Sequence, residues 1–165
     1  VPRKAASGPD LPAQVKAGDS APDFSLHCSD GTVVTLSALR GRTVVLFFYT
    51  QDDSTSCTKQ CQLFDGLRGE FARLGAAVYG LSSDSLNSHV KFAAKYGLGL
   101  PLLADTGGRV RALYGNPEPH FRLVPRITYV VDRAGTVRHV TYFLGMGRVQ
   151  PHIDEALEWA KRLAG

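Results

Sequence analysis

At 165 residues and 44% hydrophobic, the chain is the size of one globular domain with a real core. Its formal net charge of +4 comes from 19 basic and 15 acidic residues. They are dispersed through turns and helices, without the basic stripe that a nucleic-acid binder concentrates. No apolar run approaches the roughly 18–20 residues of a membrane span, and Val1–Pro12 has no apolar signal core, so the chain is read as cytoplasmic. Three cysteines are too few for a disulfide scaffold, and an odd number leaves at least one thiol unpaired in a monomer.

Residues 1–20 read as a flexible arm, rich in Pro, Ala and small polar residues, that leads into Ala21-Pro22-Asp23. Phe24 and Leu26 alternate with polar residues, Asp30-Gly31 is a turn signal, and Val33-Val34-Thr35-Leu36 is the returning strand of a hairpin. Ser37–Gly41 forms a short helical turn. The continuous run at 43–49 then has the pattern of a strand buried on both faces. After the polar segment Thr50–Ser56 comes a long helix over 57–74, with Leu63, Phe64, Leu67, Phe71 and Leu74 on one stripe and Gly75 placed to stop it.

Ala76–Leu81 is a second apolar strand. A helix over 85–96 follows, capped by Asp84 and ended by Gly97. Leu100-Pro101-Leu102-Leu103 suits an edge strand, because proline is poorly tolerated in a central one. A short helix lies within Asp105–Tyr114. Ile127–Val131 and 136–143 form a hairpin across Asp132–Gly135. A final helix over 150–163 carries Ile153, Leu157, Ala160 and Leu163 on one face. Strands alternating with helices and then a β-hairpin imply an α/β domain, a mixed sheet covered by helices.

The candidate chemistry lies at Cys57. A thiol in the first turn of a helix that follows a core strand sits among free backbone N–H groups at the positive end of the helix dipole. Both favour the thiolate. Cys61 follows four residues later on the same face. At that spacing the side chains lie about 6 Å apart, so a disulfide needs the first turn to unwind. Cys28, near the first hairpin turn, reads as a packing residue, with a resolving or intermolecular role as the alternative. Two cysteines at this spacing, with five scattered histidines and no C-x-x-C-H, give neither a metal site nor a haem attachment. No cofactor is expected.

Taken together and in order, several segments resemble the peroxiredoxins of the AhpC-TSA family, in particular the bacterioferritin-comigratory or PrxQ branch. They are Ala21-Pro22-Asp23-Phe24, Asp30-Gly31, Leu39-Arg40-Gly41, Phe47-Phe48-Tyr49, Cys57-Thr58-Lys59-Gln60, Leu81–Ser85 with Ser88-His89 and Phe92, Pro101–Asp105 with Tyr114-Gly115, and Pro125–Asp132. The resemblance covers nearly the whole chain after the arm. It implies a thioredoxin-like fold with an added N-terminal hairpin over 21–165, in which Cys57 is the peroxidatic cysteine and Arg126 the arginine brought to it from a distant strand. In the family motif P-x-x-x-T-x-x-C, this chain has Thr50 in place of the proline and Ser54 in place of the threonine. Ser54 keeps a hydroxyl that can donate or accept near a peroxide, or serves only as a helix cap. Thr50 keeps a backbone N–H that proline lacks, which implies a slower enzyme or altered peroxide access. The branch commonly puts its resolving cysteine five residues after the peroxidatic one, but position 62 is Gln. Cys61 is one residue early, and Asp65 stands where an arginine is common.

The resemblance implies a thiol peroxidase for hydrogen peroxide or alkyl hydroperoxides. Cys57 becomes a sulfenic acid, Cys61 resolves it, and a thioredoxin-like reductant restores both thiols, in a monomer or modest homodimer. Two other readings stay open at this point. One is a disulfide exchanger or redox sensor, for which a C-x-x-C pair would be more typical. The other is a catalytically impaired thioredoxin-fold binding protein.

Overall fold

The computed structural model describes residues 14–116, 126–143 and 149–165. Two strands, β1 (Ser25–His27) and β2 (Val33–Thr35), pair antiparallel across the Asp30-Gly31 turn. A 3₁₀ turn over Leu36–Leu39 leads to β3 (Thr43–Phe48), whose six residues are all buried. The chain continues through α1 (Thr55–Gly66), α2 (Arg68–Arg73), β4 (Ala76–Ser82), α3 (Leu86–Tyr96), β5 (Leu102–Ala104) and α4 (Arg109–Leu113). Beyond lie β6 (Arg126–Val131), β7 (Val137–Phe143) and α5 (Gln150–Ala164).

The main sheet has the order β5-β4-β3-β6-β7. Strands β3, β4 and β5 run parallel, whereas β6 and β7 are antiparallel to their neighbours. Alternation along β3 sends Val45, Phe47 and Tyr49 into one core, with Cys57, Cys61, Phe64, Phe71, Phe92 and Ile153 from the helices. Val44, Leu46 and Phe48 face the other core, beside Phe24, Cys28, Val110 and Tyr114. A strand covered on both sides needs apolar residues at every position, which explains the unbroken run. Gly80 on β4 makes room for Phe47: a Cβ there would meet Phe47 Cζ at 2.8 Å. The Phe47 ring instead stacks on Phe64 of α1, with centroids 4.4 Å apart. This is the expected thioredoxin-like arrangement with an N-terminal hairpin.

Three details differ from the sequence reading. The helix expected over 57–74 begins at Thr55 and breaks at Leu67 into α1 and α2. Two weak helix formers, Gly66 and Gly69, flank the break, and the Asp65 carboxylate accepts the Arg68 Nε–H at 2.9 Å and the Gly99 and Leu100 N–H groups at 3.0 and 2.9 Å. Both halves still point their phenylalanines into the same core, so the stripe passes through the break. The cap of α3 is Ser85, whose Oγ accepts the Ser88 N–H at 3.1 Å. Asp84 is occupied elsewhere. Gly97 ends α3 in the left-handed region at φ 63°, as expected.

Residues 1–13 of the expected arm lie outside the described residues, as do His120 and Pro125. From Val15 the chain is docked, earlier than the Ala21 boundary. The N–H groups of Val15, Gly18 and Ala21 donate to the carbonyls of Tyr114, Val137 and Gly135 at 3.0, 2.8 and 2.9 Å. Val15 and Ala21 are buried, so apolar side chains spaced through a polar segment anchor it. Among the described residues no helix is long and apolar enough to cross a membrane.

Candidate active site

The carboxyl end of β3, the loop after it and the start of α1 bring Cys57 to the edge of the sheet. Ser54 occupies the N-cap position with extended backbone, φ −76° and ψ 155°, and its carbonyl accepts the first helical bond from Thr58 N–H at 2.8 Å. The Cys57 N–H lies within the first turn and has no carbonyl of the helix to pair with. The loop covers the Cys57 side chain completely.

Arg126 enters from the first position of β6, itself only 2% exposed. Its Nη1 donates to Cys57 Sγ at 3.5 Å and also to Gln60 Oε1, and its Nη2 donates to Ser56 Oγ at 2.9 Å. Gln60 and Ser56 are neutral, and among the described residues no carboxylate makes an ion pair with Arg126. An unpaired buried guanidinium is costly. The thiolate of Cys57 is the anion positioned to balance it.

The electrostatics follow from that pairing. Burial alone would push the Cys57 thiol up. Arg126, the Ser54 hydroxyl and the backbone N–H groups of Gln51 and Thr50 outweigh it and hold the thiol below its ordinary range. The Thr50 N–H is the one a proline could not supply. The Ser54 hydroxyl makes no capping bond. It donates to the Gln51 carbonyl at 3.4 Å and contributes to lowering the Cys57 thiol.

Cys61 is likewise fully buried and unpaired. Burial, then the neighbouring Cys57 and Asp52, push its thiol well above the usual range. Cys57 and Cys61 share one core, while Cys28 lies in the core across the sheet, also unpaired and also raised, chiefly by burial.

The structure thus brings Cys57, Arg126, Ser54 and the Thr50 backbone together, with Cys61 one turn deeper. Sequence reasoning missed Gln60 and Ser56 as partners of Arg126. Gln60 was within reach of a periodicity argument, being three residues after Cys57 on the same helical face. It also missed the side-chain network under the loop. Asp52 accepts from Tyr49 Oη, Ser88 Oγ and His89 Nδ1 at 2.6, 2.7 and 2.8 Å. The carboxylates of Asp52 and Asp84 and the His89 ring lie close enough to hold a cation. The same groups hydrogen-bond one another within the network.

A family model described as the AhpC/TSA family matches residues 17–140. The chain is 38% identical over 162 residues to peroxiredoxin Q, chloroplastic, of Triticum aestivum, which covers 98% of this chain and 74% of that protein. Peroxiredoxin Q, chloroplastic, of Sedum lineare is 40% identical over 152 residues, 92% of this chain and 81% of its own length. The crystal structure of peroxidoxin BcpB from Mycobacterium tuberculosis aligns with a TM-score of 0.82 at 33% identity, over 91% of this chain and 99% of that one.

Proposed function

The chain belongs to the AhpC/TSA family and is a peroxiredoxin, a thiol-dependent peroxidase; on that premise we propose that Cys57 is its peroxidatic cysteine. Arg126 and Ser54 then flank the reacting oxygen, and Cys61 is the resolving thiol. The observation that carries this reading is the buried Arg126 guanidinium against Cys57 Sγ at 3.5 Å, without a carboxylate partner among the described residues. The disulfide-exchange and impaired-binding readings are not favoured.

The Cys57 thiolate attacks the terminal oxygen of a hydroperoxide. The S–O bond forms as the O–O bond breaks, and the departing oxygen takes a proton to leave as water or an alcohol. Arg126 and the N–H groups that hold the thiolate also face the charge developing on the leaving oxygen. The resulting sulfenic acid is attacked by the Cys61 sulfur, water leaves, and a disulfide forms. A thioredoxin-like dithiol then reduces that disulfide and is itself oxidised. Cys28 is poorly placed to compete, because the sheet separates it from Cys57. Both reacting thiols lie in one chain, so a monomer suffices. Three free thiols suit a reducing compartment such as the cytoplasm. Thr50 in place of proline changes the loop beside a thiol that stays fully covered, the basis for expecting altered peroxide access.

The test is peroxide consumption by the wild type and by Cys57→Ser, with peptide mass mapping after one equivalent of peroxide. Loss of activity in the variant and a disulfide linking 57 and 61 are expected. Equal consumption by both proteins would end the Cys57 assignment. A Cys57–Cys28 bridge, or mixed disulfides alone, would end the Cys61 one.

A further inference from the structure

The loop between β3 and α1 is held from below by side chains, and its two aspartates point to different parts of α3. Asp52 takes hydrogen bonds from Tyr49 at the end of β3 and from Ser88 and His89 in the first turn of α3. Its own N–H donates to Asp84 Oδ2 at 2.8 Å, and Asp84 is fixed in turn by the Ser82 hydroxyl at 2.6 Å. The His89 ring is fully buried, with Nδ1 on the Asp52 carboxylate and Nε2 3.0 Å from the Leu103 carbonyl. Contacts on both nitrogens fix the orientation of the ring. Asp53 lies in the left-handed region at φ 67°, alone among the described non-glycine residues. Its carboxylate accepts from Lys95 Nζ and Tyr96 Oη at 2.7 and 2.5 Å, at the far end of α3. A strained conformation persists only where its surroundings hold it.

The residues directly before this anchor are Thr50 and Gln51, whose backbone N–H groups help to lower the Cys57 thiol. We propose that Asp52, gripped by Tyr49, Ser88 and His89, is a positioning residue that aims the Thr50 and Gln51 N–H groups at the Cys57 sulfur. Asp52 touches neither the sulfur nor a peroxide and acts through the backbone it fixes. The grip comes from buried, charge-assisted bonds, which are the stronger kind. Without it the loop keeps the Asp52 N–H bond to Asp84 and the surface tie at Asp53, where Lys95 is exposed and weakly held. The inference rests on Cys57 being the peroxidatic thiol.

The experiment compares wild type with Asp52→Ala and with two milder variants, Tyr49→Phe and Ser88→Ala, which each delete one hydroxyl. Three quantities are read in each protein. They are the pH at which the Cys57 thiolate absorbance appears, the second-order rate of peroxide reaction, and the rate of the following disulfide step. Asp52→Ala is expected to titrate at higher pH and to react with peroxide roughly tenfold or more slowly near neutrality, without slowing the disulfide step. The milder variants should move the same way by roughly threefold each. If Asp52→Ala does not fold, Tyr49→Phe and Ser88→Ala decide the question. Folded variants with the wild-type thiolate titration and peroxide rate overturn the proposal, as does lower thermal stability with an unmoved titration. A failure of the Cys57 assignment is separately visible, because peroxide consumption would then survive Cys57→Ser in the otherwise wild-type protein.

Discussion

Gln60→Glu tests whether the Cys57 thiolate is the counter-ion of Arg126. The Arg126 Nη1 contacts both Cys57 Sγ and Gln60 Oε1, at 3.5 and 2.5 Å, so a carboxylate at position 60 lies within about 6 Å of the sulfur. Like charges about 6 Å apart at an effective dielectric of about 20 repel by about 3 kcal/mol. That is about a hundredfold in an acid constant. The added carboxylate also competes for the same guanidinium N–H. The stopped-flow rate of peroxide reaction, measured across pH, is therefore expected to shift to higher pH in Gln60→Glu. Near neutrality it should fall by at least roughly tenfold, and at alkaline pH it should approach wild type. The neutral control Gln60→Met removes the acceptor without adding charge, and its pH profile should not shift upward. A Gln60→Glu profile that overlays wild type would refute the reasoning, since the guanidinium would then have another counter-ion.

Two further substitutions probe the loop and the core beneath it. Thr50→Pro restores the family residue but removes an N–H that favours the thiolate, so Cys57 should titrate at higher pH. An unchanged or lower titration point would show that this N–H does not contribute. Gly80→Ala should destabilise the fold by about 1–3 kcal/mol, because the new Cβ meets Phe47 at 2.8 Å and Leu102 at 3.1 Å and Phe47 is pinned on Phe64. A denaturant midpoint equal to wild type at equal slope would contradict that.

What the sequence could disclose depended on the distance over which each contact acts. Cys57 was legible because strand, loop and helix are consecutive, and a local pattern suffices to place a residue in a first helical turn. Cys61 followed from helical phase. Arg126 makes its contact across 69 positions, with no local signature, and only the resemblance to a family pointed to it. The Asp52–His89 pair spans 37 positions. Two residues of common type at that separation leave no pattern, so the histidine entered only as part of a family-like segment and as one of five scattered ones, without a partner assigned. The break at Leu67 was hidden for a different reason. The apolar stripe measures which face is buried, and both short helices bury the same face, so the stripe runs on while the hydrogen-bond ladder stops.

On the proposal that Cys61 resolves Cys57, resolution and helix unwinding become one event. In the folded state its thiol is fully covered and held protonated by burial and by the charge at Cys57, and a thiol is a poor nucleophile towards a sulfenic acid. Unwinding the start of α1 would let the two sulfurs approach bonding distance and would expose Cys61 to water, where its acidity would recover. The same unwinding would remove Cys57 from Arg126, Ser54 and the loop N–H groups, so the conformation that resolves would be one that cannot react with peroxide. Conditions that loosen α1 without unfolding the domain must therefore push the two steps apart. Urea well below the unfolding midpoint is expected to speed disulfide formation after a peroxide pulse and to slow sulfenic acid formation, both read from one rapid-mixing trace. If both steps slow together, the helix is not the gate, and the thiol that resolves Cys57 reaches it without unwinding.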